Sequence, residues 1–377
     1  MNKRVFLDNA ATTPIAPEII ELISDMMKTH FANPSSIHSY GRESKIIVES
    51  ARKTIANLLN TSPGTIFFTS GGTEADNMAI KCAIHDHKIT HAITSKLSHH
   101  AVLYPLEDLA SEGKIKLSYI DVDENGTISL SHLEKLLKNN ERTFVSIMHA
   151  NNEIGTIQPL KEIGDICKDY KAIFHSDTVQ TMAHFKFDMQ ELNVDFMAAS
   201  AHKFHGPKGI GFVYISEDIH IEPLLRGGGQ ERNMRAGTEN IYGIAAMAKA
   251  MEMAYENLEE ETNYIKGLKK YMIDKLKSEI DDVQFYGKCT DLEDSLYTVL
   301  SCNFPEKDNS EMLMFNLDIK GVACSGGSAC SSGSSKGSHV LTAIDPNSMR
   351  PGVRFSFSKY NTKEDIDFAI DQLKELV

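Results

Sequence analysis

A chain of 377 residues with 41% apolar side chains is long enough for two or three domains around a real core. Its formal net charge of −13 argues against a broad nucleic-acid surface, because that affinity comes largely from Lys and Arg displacing counterions, and no apolar run approaches the roughly 18 residues of a membrane span. Six cysteines without close-set pairing suit free thiols in a reducing compartment, so the expected location is the cytoplasm.

The opening "MNKRVFLDNAATTP" offers only Val5-Phe6-Leu7 before Asp8, too little for the apolar core of a signal peptide. Between residues 65 and 215, β-rich runs alternate with stretches of helical period. The runs are "TIFFT", "HAITS", "IKLSYI", "TFVSIMH", "AIFHSD", "VDFMAAS" and "GIGFVYI". The helical stretches are Glu74 to Asp86, Ala101 to Glu112, Leu130 to Lys138 and Leu160 to Asp169. Such alternation predicts an α/β domain with a mostly parallel sheet, whose ligand site lies beyond the carboxyl ends of the strands. Tyr242 to Glu279 reads as almost wholly helical, with "ENLEEETN" marking a change of domain. After it come "SLYTVLSCNF", a glycine-serine loop "GVACSGGSACSSGSSKGSHV", then "GVRFSFS" and a closing helix. That helix opens with Thr362 and Asp365 at capping-box spacing and carries Ile366, Ala369, Ile370, Leu373 and Leu376 on one side. These elements form a smaller α+β domain.

Several predicted strand ends carry chemistry. Lys203, in "SAHKFHGPKGIGF", follows an apolar strand; a desolvated lysine there has a lowered pKa and an amine able to form a Schiff base. On local sequence alone, a solvated loop lysine is the commoner use of such a residue. Gly71-Gly72-Thr73 stands between a strand and a helix, where open N–H groups and a hydroxyl suit an anion such as phosphate; a tight turn has the same look. Asp177 follows a buried-looking strand, with Gln180 three residues on. A buried carboxylate is costly unless it meets a cation, and a protonated pyridine is one; capping of the next turn is the plainer use. His99 and His100 end one strand run and Asn151 and Asn152 another. Adjacent histidines diverge, no HExxH helix exists, and the spacing of Cys324 and Cys330 is not that of a zinc knuckle, so no metal site is expected.

Taken together, "LDNAATTP", "NPSSIH", "SGGTEADN", "SHHAV", "HANNEIG", "HSDTVQ", "SAHKFHGPKG", "GGGQERNMRAGTEN", "GSACSSG" and "RFSFS" resemble the cysteine desulfurases, in the family's order from Leu7 to the final helix. These are class V, fold-type I pyridoxal-phosphate enzymes. The resemblance implies an α/β fold with a large domain, residues 15–259, built on a mostly parallel seven-stranded sheet. Residues 1–14 and 260–377 would form the small domain, carrying a cysteine loop at about 325–337. It makes Lys203 the residue that holds pyridoxal 5'-phosphate, sets His99 over the ring, Asp177 on the pyridine nitrogen and Gln180 near the phenolic oxygen. Phosphate falls to Thr73, the Gly72 backbone, Ser200 and His202, with Thr238 reaching in from a neighbouring subunit, which implies a homodimer. Asn152 serves cofactor and substrate, Arg354 takes the carboxylate of L-cysteine, and Asn33 assists. Cys330 is the implied nucleophile that receives sulfur as a persulfide while alanine leaves, with His99 as acceptor of the substrate's thiol proton.

The delivered sulfur then implies an acceptor protein, such as an iron-sulfur scaffold or a sulfur carrier, and no direct nucleic-acid or membrane partner. A selenocysteine lyase, or another class V lyase or aminotransferase, is the alternative: it needs Lys203 but can dispense with a loop thiol. Cys324, after "IKGV", reads as a small buried residue, a resolving thiol being its less favoured use. The sequence departs from many relatives in "SGSSKG" after Cys330 and in Lys359, where an arginine is common.

Overall fold

The computed structural model describes residues 3–138, 142–307, 310–326 and 338–377. The predicted cysteine loop, apart from its first two residues, and Cys330 with it, lies outside the described residues.

A short strand β1 (Val5–Phe6) and two helices, Pro17–Thr29 and Ser39–Leu58, precede the predicted alternation. Seven strands follow: β2 (Ile66–Thr69), β3 (His91–Thr94), β4 (Lys116–Tyr119), β5 (Thr143–Ser146), β6 (Ile173–Asp177), β7 (Phe196–Ser200) and β8 (Gly211–Ile215). They form one sheet in the order β2-β8-β7-β6-β5-β3-β4. All neighbours are parallel except β8, which is antiparallel to both β7 and β2. Two reversals restore direction, so β2 runs with β7. The carboxyl ends of β2, β3, β5, β6 and β7 therefore share one edge.

The strands explain why their sequences read as near-continuous apolar runs. Every residue of β2, β3, β5, β7 and β8 is buried, as expected when helices cover both faces. Alternate residues serve opposite faces. Phe68, Val145, Met197 and Phe212 join one cluster with Val48 and Ile55 and with Ile244 and Met251. Phe67, Phe144, Phe196 and Val213 join another with Ala79, Ala83, Val102 and Leu106. The edge strand β4 is exposed or half-buried along its length, and β6 is buried but for Ile173.

The predicted long helix is two, Ile241–Glu256 and Leu258–Glu279, meeting at Asn257, whose φ and ψ of −106° and 11° leave the helical region within the acidic "ENLEEETN". Beyond it, β9 (Gln284–Phe285), β10 (Val299–Asn303) and β12 (Gly352–Ser356) make an antiparallel sheet with β10 central, while β11 (Val322–Ala323) pairs in parallel with β1. Val5 and Leu7 accordingly sit in one apolar cluster with Leu268, Met272, Phe355 and Leu373. The closing helix, Lys363–Lys374, has both hydrogen bonds of its capping box between Thr362 and Asp365. Among the described residues no helix is long and apolar enough to cross a membrane, and no cluster of three metal-ligating side chains occurs.

Two histidines are locked into this core. His149 and His175 are 8% and 0% exposed, and burial pushes their pKa values down to about 4 and about 3. Their folded pKa lies below the unfolded value near 6.5, so between about pH 6.5 and 4 the unfolded chain binds more protons. Stability is expected to fall as pH falls through that window, by up to ~1.4 kcal/mol per pH unit for each histidine. Urea midpoints at pH 7 and pH 5 check this: His149→Phe should narrow the gap between them, and an unchanged gap would remove His149 from the account.

Candidate active site

The shared sheet edge opens into a cavity of about 200 Å³. Of the predicted residues, Gly72, Thr73, His99, Asn152, Asp177, Ser200, His202, Lys203 and Arg354 line it. They come from six separate stretches of chain, brought together because five strands end there.

The turn after β2 leads straight into the helix Gly72–Asp86. Gly72 has to be glycine, since a Cβ would stand 2.5 Å from Val179 Cγ2. The helix start brings N–H groups without intrahelical partners and the positive end of its dipole to the cavity. Ser200 and His202, at the end of β7, face the same space. His202 Nδ1 lies 3.1 Å from Thr12 Oγ1, and burial, with Lys203 and Lys208 nearby, lowers its pKa to about 4. These groups suit a phosphate.

The cavity also carries acidic groups. Asp177 closes β6, 2% exposed, and its Oδ1 accepts the Val179 N–H at 3.0 Å. Burial raises its pKa to about 6, against the pull of that N–H and of Lys203. Asp76, from the helix Gly72–Asp86, lines the same cavity and is likewise pushed up, by burial and by Asp177. His175 Nε2 stands 3.2 Å from Asp76 Oδ1, and His175 Nδ1 meets Ser146 Oγ at 2.8 Å. Two buried carboxylates facing one cavity call for a proton-bearing cation between them and the solvent.

Lys203 lines the same cavity. Its Nζ donates to the carbonyls of Ala10 at 2.6 Å and Ala11 at 2.9 Å. Gln180 does not line the cavity; its Nε2 donates to the same Ala10 carbonyl at 3.0 Å. His99 caps the helix His100–Ser111, its Nδ1 accepting the Ala101 N–H at 3.1 Å. Burial first, then Lys203, His100 and His339, lowers its pKa to about 4, so the ring is neutral. With Nδ1 accepting, the proton of that neutral ring sits on Nε2.

Arg354, on β12, is 1% exposed. It donates from Nη1 to the Asn152 carbonyl at 2.8 Å and from Nη2 to Asp8 Oδ1 at 2.7 Å. Its Nε, also buried, has no partner among the described residues, which suits a guanidinium that receives a ligand's carboxylate. Asn151 shapes the turn that presents Asn152: its Oδ1 accepts from the Glu153 and Ile154 N–H groups and its Nδ2 donates to the Leu97 carbonyl.

Asn33 and Thr238 stand apart from the cavity. Asn33 is exposed and accepts the Ser35 N–H. Thr238 is exposed, on an arm whose residues Glu231, Arg232 and Asn233 all take positive φ, from 46° to 68°. Such backbone persists where the surroundings over-determine it. Here Arg52 grips Glu231 through two 2.8 Å hydrogen bonds and Arg235 binds Glu74, fixing the arm to the helix behind the anion cradle. Sequence reasoning missed Asp8, Asp76, Glu153 and His339, all placed at the site by long-range contacts. Cys324 is half-buried, and burial, with Asp8 nearby, raises its thiol pKa to about 12. It is a poor nucleophile.

An anion cradle at a helix start, buried carboxylates and a lysine amine around one cavity fit pyridoxal phosphate, whose phosphate, protonated ring nitrogen and aldehyde match them in turn. On an α/β sheet of this topology they define a fold-type I pyridoxal-phosphate enzyme. Comparison with known proteins narrows the class. The family model for aminotransferase class-V matches residues 5–368. A cysteine desulfurase IscS from Dictyoglomus turgidum is 42% identical over 381 aligned positions, covering all of this chain and 95% of that protein. Among solved structures, a NifS-like protein superposes with a TM-score of 0.91 at 36% identity, covering 99% of each chain. One titled SspA in complex with cysteine gives 0.81 at 29% identity, covering 95% of this chain and all of that one. The chain belongs to the class-V aminotransferase family and, within it, to the cysteine desulfurases. Its cofactor is pyridoxal phosphate.

Proposed function

We propose that this cysteine desulfurase takes L-cysteine, releases L-alanine and keeps the sulfur as a persulfide on Cys330. Arg354 grips the substrate carboxylate, with Asn152 beside it. Lys203 holds the cofactor, and its amine, once displaced by substrate, moves the Cα proton. Bound pyridoxal phosphate supplies an electron sink, for which Asp177 keeps the ring nitrogen protonated. Thr73, the Gly72 N–H, Ser200 and His202 hold the phosphate. His99 packs over the ring; with Nδ1 occupied by the Ala101 N–H and its proton on Nε2, it donates a hydrogen bond to the substrate's sulfur instead of accepting the thiol proton, and Gln180 acts near the phenolic oxygen. In the sulfur step the Cβ–S bond of cysteine breaks as the Cys330 thiolate forms a new S–S bond, and the carbon takes a proton. Cysteine plus enzyme thiol thus balances alanine plus enzyme persulfide, with no outside oxidant.

The observation that most supports this reading is the assembly, around one cavity, of cradle, Asp177, Lys203 and an Arg354 whose buried Nε has no partner among the described residues. The solved relative in complex with cysteine supports the substrate. Mass spectrometry of the holoenzyme after incubation with L-cysteine tests it: one added sulfur on Cys330 with a matching quantity of alanine is expected. Alanine without bound sulfur would favour a lyase that releases sulfide.

The same reading extends to the assembly. We propose a homodimer in which the arm held by Arg52 and Glu231 brings Thr238 to the partner's phosphate, with Asn33 assisting at the substrate. A sulfur-acceptor protein, such as an iron-sulfur scaffold or carrier, receives the persulfide sulfur in the cytoplasm. The division into residues 15–259 and a small unit of 1–14 with 260–377 is supported by Val5 and Leu7 packing among carboxyl-terminal apolar residues.

A further inference from the structure

Glu153 is a buried carboxyl that the reaction described above does not use. It is 2% exposed, lines the cavity beside Asn152, and is held away from its ordinary pKa by burial, with Ser338 and Arg354 pulling the other way. Its Oε2 accepts the hydroxyl of Ser338, 185 residues further along the chain. That hydroxyl also accepts the Leu341 N–H at 3.0 Å, capping the helix His339–Ile344. Two more contacts hold the same point. His339 Nε2 lies 3.0 Å from the Ser98 carbonyl, and its ring is 4.4 Å from that of His100, which stacks on Tyr104 at 4.6 Å. Val340 is buried with Leu97 and Ile154.

Ser338 is eight residues after Cys330, and Ser325 is five before it. Ser325 is pinned too: it exchanges backbone hydrogen bonds with Arg354, and its Oγ donates to Asp8 Oδ1 at 2.8 Å. Both anchors bond to residues around the cavity. Short tethers raise the effective concentration of what they carry, and lengthening one lowers it.

We infer that Glu153 and Ser338 form the downstream tether point of the sulfur-accepting thiol and are positioning residues for sulfur transfer, acting through the chain between Ser338 and Cys330. The inference rests on the reading of Cys330 as the acceptor. It separates two steps: substrate capture at the cofactor does not need the tether, whereas transfer to Cys330 does.

Rapid mixing of the holoenzyme with L-cysteine reads both steps, the first as the change in cofactor absorbance and the second as quenched persulfide on Cys330. Ser338→Ala is expected to leave the first within about two-fold and to slow the second about ten-fold. Ser338→Thr, which keeps the hydroxyl, should restore the second to within about two-fold. Glu153→Ala should slow the second step as much as Ser338→Ala, and the double variant no further, because the two act as one unit. Equal slowing of both steps in Ser338→Ala, an unchanged sulfur step, or no restoration by threonine overturns the inference. A parent enzyme that gains no sulfur on Cys330 overturns the underlying reading and the inference with it. Sulfur on parental Cys330 with a normal Ser338→Ala overturns the inference alone.

Discussion

Lys203→Ala is expected to lower turnover of L-cysteine by at least about 10²–10⁴-fold, the range that a positioned acid-base group contributes, and to remove the visible absorbance of lysine-bound cofactor. The fold should survive. Lys203 Nζ satisfies two carbonyls, Ala10 and Ala11, on a segment also fixed by the Thr13 N–H to the His202 carbonyl and by the Ala10 N–H to Ser356 Oγ. A typical hydrogen bond contributes only about 0.5–1.5 kcal/mol net. Alanine alone, however, removes a charge as well as an amine. Lys203→Arg separates the two, because a guanidinium keeps the cation near Asp177 and hydrogen-bonds readily but is never deprotonated and forms no Schiff base. Both variants should be inactive by alanine release. An arginine variant that kept more than about a tenth of parental activity would show that the charge, not the amine, is what the reaction needs.

The contrast between Lys203 and its surroundings marks what the sequence makes legible. Strand ends are legible because apolar runs stop sharply at "SGGTEADN", "HSDTVQ" and "SAHKFHG", and in a sheet with helices on both faces the chemistry follows such stops. The helices Pro17–Thr29 and Ser39–Leu58, ahead of the alternation, have local signals of their own: a proline in the first turn, and Val48, Ala51, Ile55 and Ala56 at helical spacing. The residues that steady the site are not legible in this way. Asp76 looks like an acid that merely complements its helix dipole; only folding sets it 3.2 Å from His175 and beside Asp177. Glu153 meets Ser338 across 185 residues and Arg354 meets Asp8 across 346. Pairs so far apart leave no periodicity or spacing to read. Arg354 itself is legible through the ordered family motifs; nothing within "GVRFSFS" alone singles it out.

Arg354→Lys is expected to raise the KM for L-cysteine by roughly 10–100-fold, equivalent to losing the ~1.5–3 kcal/mol of a charge-assisted contact, with a smaller change in kcat. The choice of lysine matters. Arg354 is buried and paired with Asp8, and breaking such a pair by a neutral substitution such as Arg354→Gln strands a carboxylate, at a cost of up to about 3–5 kcal/mol of stability. Asp8 also accepts from Ser325, so a stranded carboxylate would disturb the upstream anchor of the Cys330 segment as well as the substrate pocket. A lysine ammonium can remain beside Asp8 and preserve that arrangement, but it lacks the planar fork that grips a carboxylate through parallel hydrogen bonds while serving Asp8 and the Asn152 carbonyl at once. Steady-state kinetics with thermal melts of both variants separate the two effects. The lysine variant should melt near the parent and bind cysteine poorly, whereas the glutamine variant should lose both stability and affinity. A lysine variant with a KM within about three-fold of the parent would show that Arg354 is kept for its pairing with Asp8 and that the substrate carboxylate is held elsewhere.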